Sequence, residues 1–154
     1  MRRREFICFA GSSAVAWPLA ARAQQASAMR QIGVLMGTPA QDAESKAELA
    51  AFRDSLAKLG WVEGNTIHID YRYPDNPDQY PRLAKELTAL HCEVIFAQST
   101  PAAAVLQRET RTTPIVFVNV SDPIGSGFVS SLARPGGNLT GVIAYEPDRC
   151  QQAV

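Results

Sequence analysis

Short apolar runs along this chain alternate with stretches whose apolar residues recur every three or four positions. Ile32-Gly33-Val34-Leu35-Met36 is such a run and ends at turn residues, the form of a fully buried parallel strand. Residues 43–59 follow, with Leu49, Phe52, Leu56 and Leu59 spaced to stack on one helical face. Asp42 is placed to cap that helix, and Gly60 to end it in the left-handed conformation. Ile67, Ile69, Tyr71 and Tyr73 then alternate with His68, Asp70 and Arg72, a period of two that predicts an edge strand with one wet face. Beyond the turn cluster Pro74-Asp75-Asn76-Pro77-Asp78, helical spacing resumes at Tyr80, Leu83, Ala84, Leu87 and Leu90, with Pro81 in the first turn.

Val94-Ile95-Phe96-Ala97 reads as a third strand. Thr100 opens an Ala-rich helix running to about Arg108, with Pro101 at its first position. Ile115-Val116-Phe117-Val118 is a fourth strand, closed by Ser121-Asp122-Pro123. A short helix carrying Phe128, Val129 and Leu132 is expected next, then the loop Arg134-Pro135-Gly136-Gly137-Asn138 and a fifth strand over residues 139–144. Strands alternating with helices predict an α/β fold with a doubly wound parallel sheet and right-handed crossovers. The wet second strand belongs at an edge, which predicts the order 2-1-3-4-5. The chain then reverses direction between strands one and three, and a crevice opens beyond their carboxyl ends. Three loops should border it: residues 37–42, 98–101 and 119–123.

The 154 residues suit one domain of ordinary size, and 46% hydrophobic with 19% charged residues is a globular composition. The balance of 15 Lys+Arg against 15 Asp+Glu conceals an asymmetry. Arg2, Arg3, Arg4 and Arg22 are opposed in the first 23 residues only by Glu5; without that segment 11 basic residues face 14 acidic ones, a net of −3. A mildly acidic body without a basic stripe argues against a nucleic-acid partner. The first segment itself reads as an export signal: arginines, an apolar run from Phe6 to Ala20, then Ala21-Arg22-Ala23 for small-x-small cleavage. Arg3-Arg4-Glu5-Phe6-Ile7 resembles a twin-arginine signal. Residues 1–23 are therefore expected to be removed, leaving a soluble, periplasmic chain that begins at Gln24. Cys92 and Cys150 would remain, 58 positions apart, and are expected as free thiols because Cys92 heads a buried strand.

Candidate chemistry gathers on the predicted crevice. Gln98-Ser99-Thr100-Pro101 sets an amide and two hydroxyls before a helix N-terminus, where free N–H groups and the helix dipole suit an anion. Thr100 serves equally as a plain N-cap, and both uses need the same geometry. Asn119, Ser121 and Asp122 either fix a polar group of a ligand or simply turn the chain after a buried strand. No nucleophile elbow, phosphate-binding loop or dinucleotide fingerprint occurs, and Gly125-Ser126-Gly127 lacks the required third glycine. No Cys/His cluster has metal-ligand spacing. His68 falls in the edge strand and His91 at a helix end, neither beside a nucleophile. A catalytic role has no support in the sequence.

Longer blocks carry a family resemblance. Phe52-Arg53-Asp54-Ser55-Leu56-Ala57-Lys58-Leu59-Gly60-Trp61-Val62-Glu63-Gly64-Asn65, Thr100-Pro101-Ala102-Ala103, Thr113-Pro114-Ile115-Val116-Phe117, Ser121-Asp122-Pro123 and Arg134-Pro135-Gly136-Gly137-Asn138-Leu139-Thr140-Gly141-Val142 occur in order. Over residues 30–146 the chain resembles the substrate-binding proteins of ABC transporters whose better-known members take up tryptophan or tyrosine. The resemblance implies a periplasmic binding protein of the first type, two α/β lobes hinged around a small ligand. Residues 24–146 would form the amino-terminal lobe, and Thr140-Gly141-Val142 would lead toward the hinge. The resemblance carries ligand contacts onto Ser99, Thr100, Ser121, Asp122 and, at the same edge, Asn119. It implies a monomer that captures a small molecule such as an amino acid for an ABC permease, with no catalysis, cofactor or metal. Residues 147–154 form an irregular tail where a second lobe would open, so a truncated form is expected. The competing reading is a stand-alone flavodoxin-like domain with an enzymatic or receiver-like role.

Overall fold

The computed structural model describes residues 29–143. The expected export signal, Cys150 and the expected tail lie outside them. Five strands form one sheet in the order β2-β1-β3-β4-β5: β1 (Arg30–Leu35), β2 (Ile67–Arg72), β3 (Val94–Gln98), β4 (Ile115–Val118) and β5 (Leu139–Gly141). Every neighbouring pair is parallel, with Ile32 opposite Ile69 and Val94, and Phe96 opposite Val116. This is the doubly wound α/β architecture expected, with β2 at the edge.

Alternation along the strands divides the core in two. Leu35, Ile95, Ala97, Ile115 and Phe117 face α2 (Tyr80–Ala89) and α3 (Thr100–Glu109), where they meet Leu83, Leu87 and Leu106. Val34, Met36, Ile67 and Ile69 face the opposite way, against Leu49, Phe52 and Leu56 of α1 (Ala43–Lys58). One face thus carries two helices and the other, among the described residues, one. Phe96, Val116 and Val118 remain only half-buried on the α1 side as a result. On β2 the faces differ again. Ile67 and Ile69 are buried, while Arg72, on the other face, pairs with Glu86 of α2 at 3.1 Å.

Local signals set the element ends. The Asp42 carboxylate accepts the Ser45 N–H at 2.8 Å, the side-chain cap expected for α1. Gly60 takes a φ of +88° just beyond the helix, a conformation costly for a residue with a Cβ. Leu59 departs from expectation: it lies past the last helical residue, off the apolar stripe, and is exposed. The short helix expected around Phe128, Val129 and Leu132 is likewise absent. Ser126, Gly127 and Phe128 donate to Asp122, Ile124 and Pro123 in consecutive turns, and Gly127 at φ +72° stops any helix from propagating. Phe128 and Val129 still reach the core, whereas Leu132 is exposed.

The cap yields a pH prediction. Hydrogen bonding from the Ser45 backbone N–H, helped by its side chain, holds the Asp42 carboxyl below its ordinary value. That stabilisation is fully present above the ordinary carboxylate range and is lost as pH falls from there through the lowered native-state value. Asp42→Asn keeps an acceptor but does not titrate. Urea midpoints measured against pH should therefore fall more steeply on acidification for the parent chain than for Asp42→Asn; parallel curves would remove the cap as the cause.

Candidate functional site

The crossover leaving β1 climbs to the α1 face, and the one leaving β3 climbs to the α3 face. The loops after these strands therefore part at their carboxyl ends, where doubly wound sheets hold ligands. Gly37 sits at this parting. Its N–H donates to Oε1 of Gln98 at 2.8 Å, and its carbonyl accepts the Tyr80 hydroxyl at 3.2 Å. A Cβ at position 37 would collide with the Gln98 carbonyl and crowd Ser99 Cβ to 2.7 Å, so the close approach of the two loops requires glycine.

Gln98 is buried, so both ends of its amide need partners. Its Nε2 donates to Oε2 of Glu48 at 2.8 Å. The other oxygen of Glu48 accepts from Nδ2 of Asn119 at 3.2 Å. A single carboxylate on α1 thus ties the ends of β3 and β4 together, and through Gln98 it reaches β1. Asn119 adopts a φ of +55°, in the left-handed region that asparagine tolerates better than most residues. Beside this chain the Thr38 and Ser45 hydroxyls pair with each other.

The predicted contact residues meet unevenly. Ser99 and Thr100 are half-buried at the start of α3, and Ser121 is exposed across from them. Ser121 N–H donates to Thr100 Oγ1 at 3.3 Å, which brings the second and third loops to one edge. The N-cap of α3 is Ser99 rather than Thr100: Ser99 has extended backbone, its hydroxyl oxygen accepts the Ala102 N–H, and Thr100 is the first helical residue. Pro101 has no N–H to offer. The helix end is thereby largely satisfied from within, leaving the Thr100 N–H and the two hydroxyl protons as donors. Asp122 turns inward on its own loop, where Oδ1 accepts the Gly125 N–H at 2.7 Å. Its turn-forming role is therefore visible in the structure.

Beside this edge lies a mainly apolar cavity of about 420 Å³, lined by Met36, Leu49, Phe52, Phe96 and Val118, with Glu48, Gln98 and Asn119 at its polar end. The Phe52 and Phe96 rings in its wall stack on each other with centroids 4.9 Å apart. Glu48 is the residue that sequence reasoning missed. Its signal was indirect: an amide at the end of a buried strand, Gln98, demands a partner, and a helix beside the strand can supply one.

The cysteine and histidines of the described residues lie elsewhere. Cys92 is buried and free at the opposite end of β3, with burial pushing its thiol pKa up. His68 stands 3.5 Å from Asp70 on the edge strand, and His91 follows α2 with a φ of +53°. Among the described residues, no group of three or more His, Cys, Asp or Glu is placed to hold a metal ion.

The Glu48 bridge has a measurable consequence. Glu48→Ala strands the buried Gln98 amide, and an unsatisfied buried polar group costs about 1–3 kcal/mol. Urea denaturation should show a loss of that size, with less for Glu48→Gln, which keeps an acceptor oxygen. A change within error for Glu48→Ala would mean that the bridge is not holding the loops.

Known proteins share the sequence and fold of this chain. A family model described as ABC transporter substrate binding protein matches residues 32–153. A tyrosine-binding protein of Clostridioides difficile (strain R20291) is 31% identical over 119 residues, which cover 75% of this chain and 33% of that protein. A solved conserved domain protein from Vibrio cholerae superposes with a TM-score of 0.71 at 29% identity, over 78% of this chain and 40% of its own. An ABC domain from Streptococcus pneumonia, solved in complex with L-Trp, gives a TM-score of 0.69 at 28% identity, over 75% of this chain and 39% of its own. The chain spans about a third of the length of the curated relative.

Proposed function

The chain belongs to the family of ABC transporter substrate binding proteins, and from that premise we propose that it captures a small zwitterion, of the amino-acid class, outside the cytoplasm for uptake through an ABC permease. The observation that carries this reading is the meeting of three loops at the parting of β1 and β3, with Ser99, Thr100, Asn119 and Ser121 on one edge and Glu48 bridging behind them. The start of α3 offers hydroxyl protons and the positive end of a helix to a carboxylate. The Glu48 carboxylate offers a counter-charge to an ammonium group, and the cavity lined by Phe52 and Phe96 suits an apolar or aromatic body. A relative named for tyrosine and a neighbour solved with L-Trp support the same ligand class. The residues act by binding and orienting, and the role is carriage.

The described body is read as one lobe of such a protein, with residues 1–23 as the export signal. A crevice open on one side encloses less of a ligand than the deep pockets that give tight binding. Weak contact is accordingly expected, and a method that reads weak contact is the fitting test. Saturation-transfer difference NMR with tyrosine and tryptophan should show transfer to the ring protons that Thr100→Val and Glu48→Gln diminish and His68→Ala leaves unchanged. Equal transfer in all three variants would place binding elsewhere.

Export has its own measurement. The arginines, the apolar run and Ala21-Arg22-Ala23 should direct cleavage before Gln24. Amino-terminal sequencing of protein from the periplasmic fraction should begin there, and an intact Met1 on a cytoplasmic product would contradict the reading.

A further inference from the structure

We propose that the amino edge of the sheet, around the loop joining α1 to β2, is a surface that rests on a lipid bilayer. This edge lies opposite the candidate ligand site. Met29, Leu59, Trp61 and Val62 gather there with 47%, 75%, 36% and 43% of their surface exposed. The backbone brings them together. Trp61 N–H turns back to the Leu56 carbonyl at 2.9 Å, and Val62 N–H donates to Thr66 Oγ1 at 2.7 Å. Arg30 N–H donates to the Thr66 carbonyl at 3.1 Å, which sets Met29 beside the loop. Single exposed apolar residues are ordinary on a soluble protein, but four brought to one edge are the kind of patch that marks an interaction surface.

The chemistry of the patch fits a membrane interface. The Arg30 guanidinium lies over the Trp61 ring, 5.2 Å from its centroid. An indole with a guanidinium over its ring, and a lysine (Lys58) in the adjoining helical turn, suits the headgroup layer, where aromatic and basic side chains concentrate. Two of the nearby carboxylates are paired: Glu93 with Arg30 at 3.1 Å and Glu63 with Arg53 at 3.0 Å. They therefore oppose a bilayer less than free acids would.

The sequence specifies where a bilayer would lie. The apolar run of residues 6–20 is separated from Met29 only by residues 21–28. Those eight residues span at most about 29 Å when fully extended. This step rests on the export-signal reading above. While that run occupies a membrane, the edge carrying Met29 is the part of the body held against it, and the ligand crevice at the other end faces water. A patch with some lipid affinity would keep the body in that orientation.

Trp17 and Trp61 are the two tryptophans of the chain. In the full chain with Trp17→Phe, Trp61 becomes the single fluorescent reporter at the patch. Mixing it with phosphatidylethanolamine/phosphatidylglycerol vesicles that carry brominated acyl chains should shift its emission to the blue and quench it. Adding Leu59→Asp and Val62→Asp should abolish both changes while the chain still sediments with the vesicles through its apolar run. Both side chains are exposed, so an unchanged far-UV circular dichroism spectrum is expected for that variant. Sedimentation with no change in Trp61 emission would overturn the proposal and leave the export-signal reading standing. Failure to sediment, with no emission change, would count against both. Quenching that survives the Asp substitutions, or a blue shift that grows with protein concentration without lipid, would also overturn it, the latter in favour of contact between copies.

Discussion

Parallel strands can be joined only by crossovers that climb over a face of the sheet, and the rest of this structure depends on that constraint. The first three crossovers each carry a helix that buries one side of the strands beneath it, and the fourth, from β4 to β5, runs in turns that still bury Phe128 and Val129. Because β1 is flanked by β2 on one side and β3 on the other, its exit and that of β3 must rise to opposite faces. The parting of the chain is therefore a consequence of topology, and it exists before any ligand chemistry is added. What the residues at the edge contribute is a way to hold the parting open without leaving buried polar groups unpaired.

That task falls on a short hydrogen-bonded chain from Gly37 through Gln98 to Glu48 and Asn119. A glycine allows the β1 and β3 loops to touch, an amide satisfies donors and acceptors in both directions, and a carboxylate on α1 gathers the free ends. Such a chain stabilises the loops and at the same time leaves a charged oxygen pair beside an apolar cavity. Under the proposed function, scaffold and recognition surface would be built from the same side chains, so a structural role and a binding role need not compete at this edge.

The sheet was legible in the sequence because its signals are local and repeated. Apolar runs such as Ile115-Val116-Phe117-Val118 and the alternation from Ile67 to Tyr73 report burial on two faces or on one, and the edge position of β2 followed from that difference. The Asp42 cap and the Gly60 stop were legible for the same reason, since each acts within a few residues. The segment carrying Phe128, Val129 and Leu132 departs from its pattern because its apolar residues have helical spacing while Gly125 and Gly127 favour turns. Spacing reports what is buried, and Phe128 and Val129 are buried, but it does not report the backbone that carries them there.

By itself, then, the sequence determined the five strands, the three helices between the first four of them, the doubly wound order, and the loops at the carboxyl edge, because period and capping are properties of neighbouring residues. Only the tertiary structure decided which side chains meet across that crevice. Glu48 joins Gln98 and Asn119 over separations of 50 and 71 residues, Ser99 rather than Thr100 caps α3, and Asp122 turns into its own loop. Met29 and Trp61 likewise share an edge only once β1 and β2 have paired. Contacts of this kind depend on strand register and helix placement, which emerge when the sheet assembles and have no period along the chain.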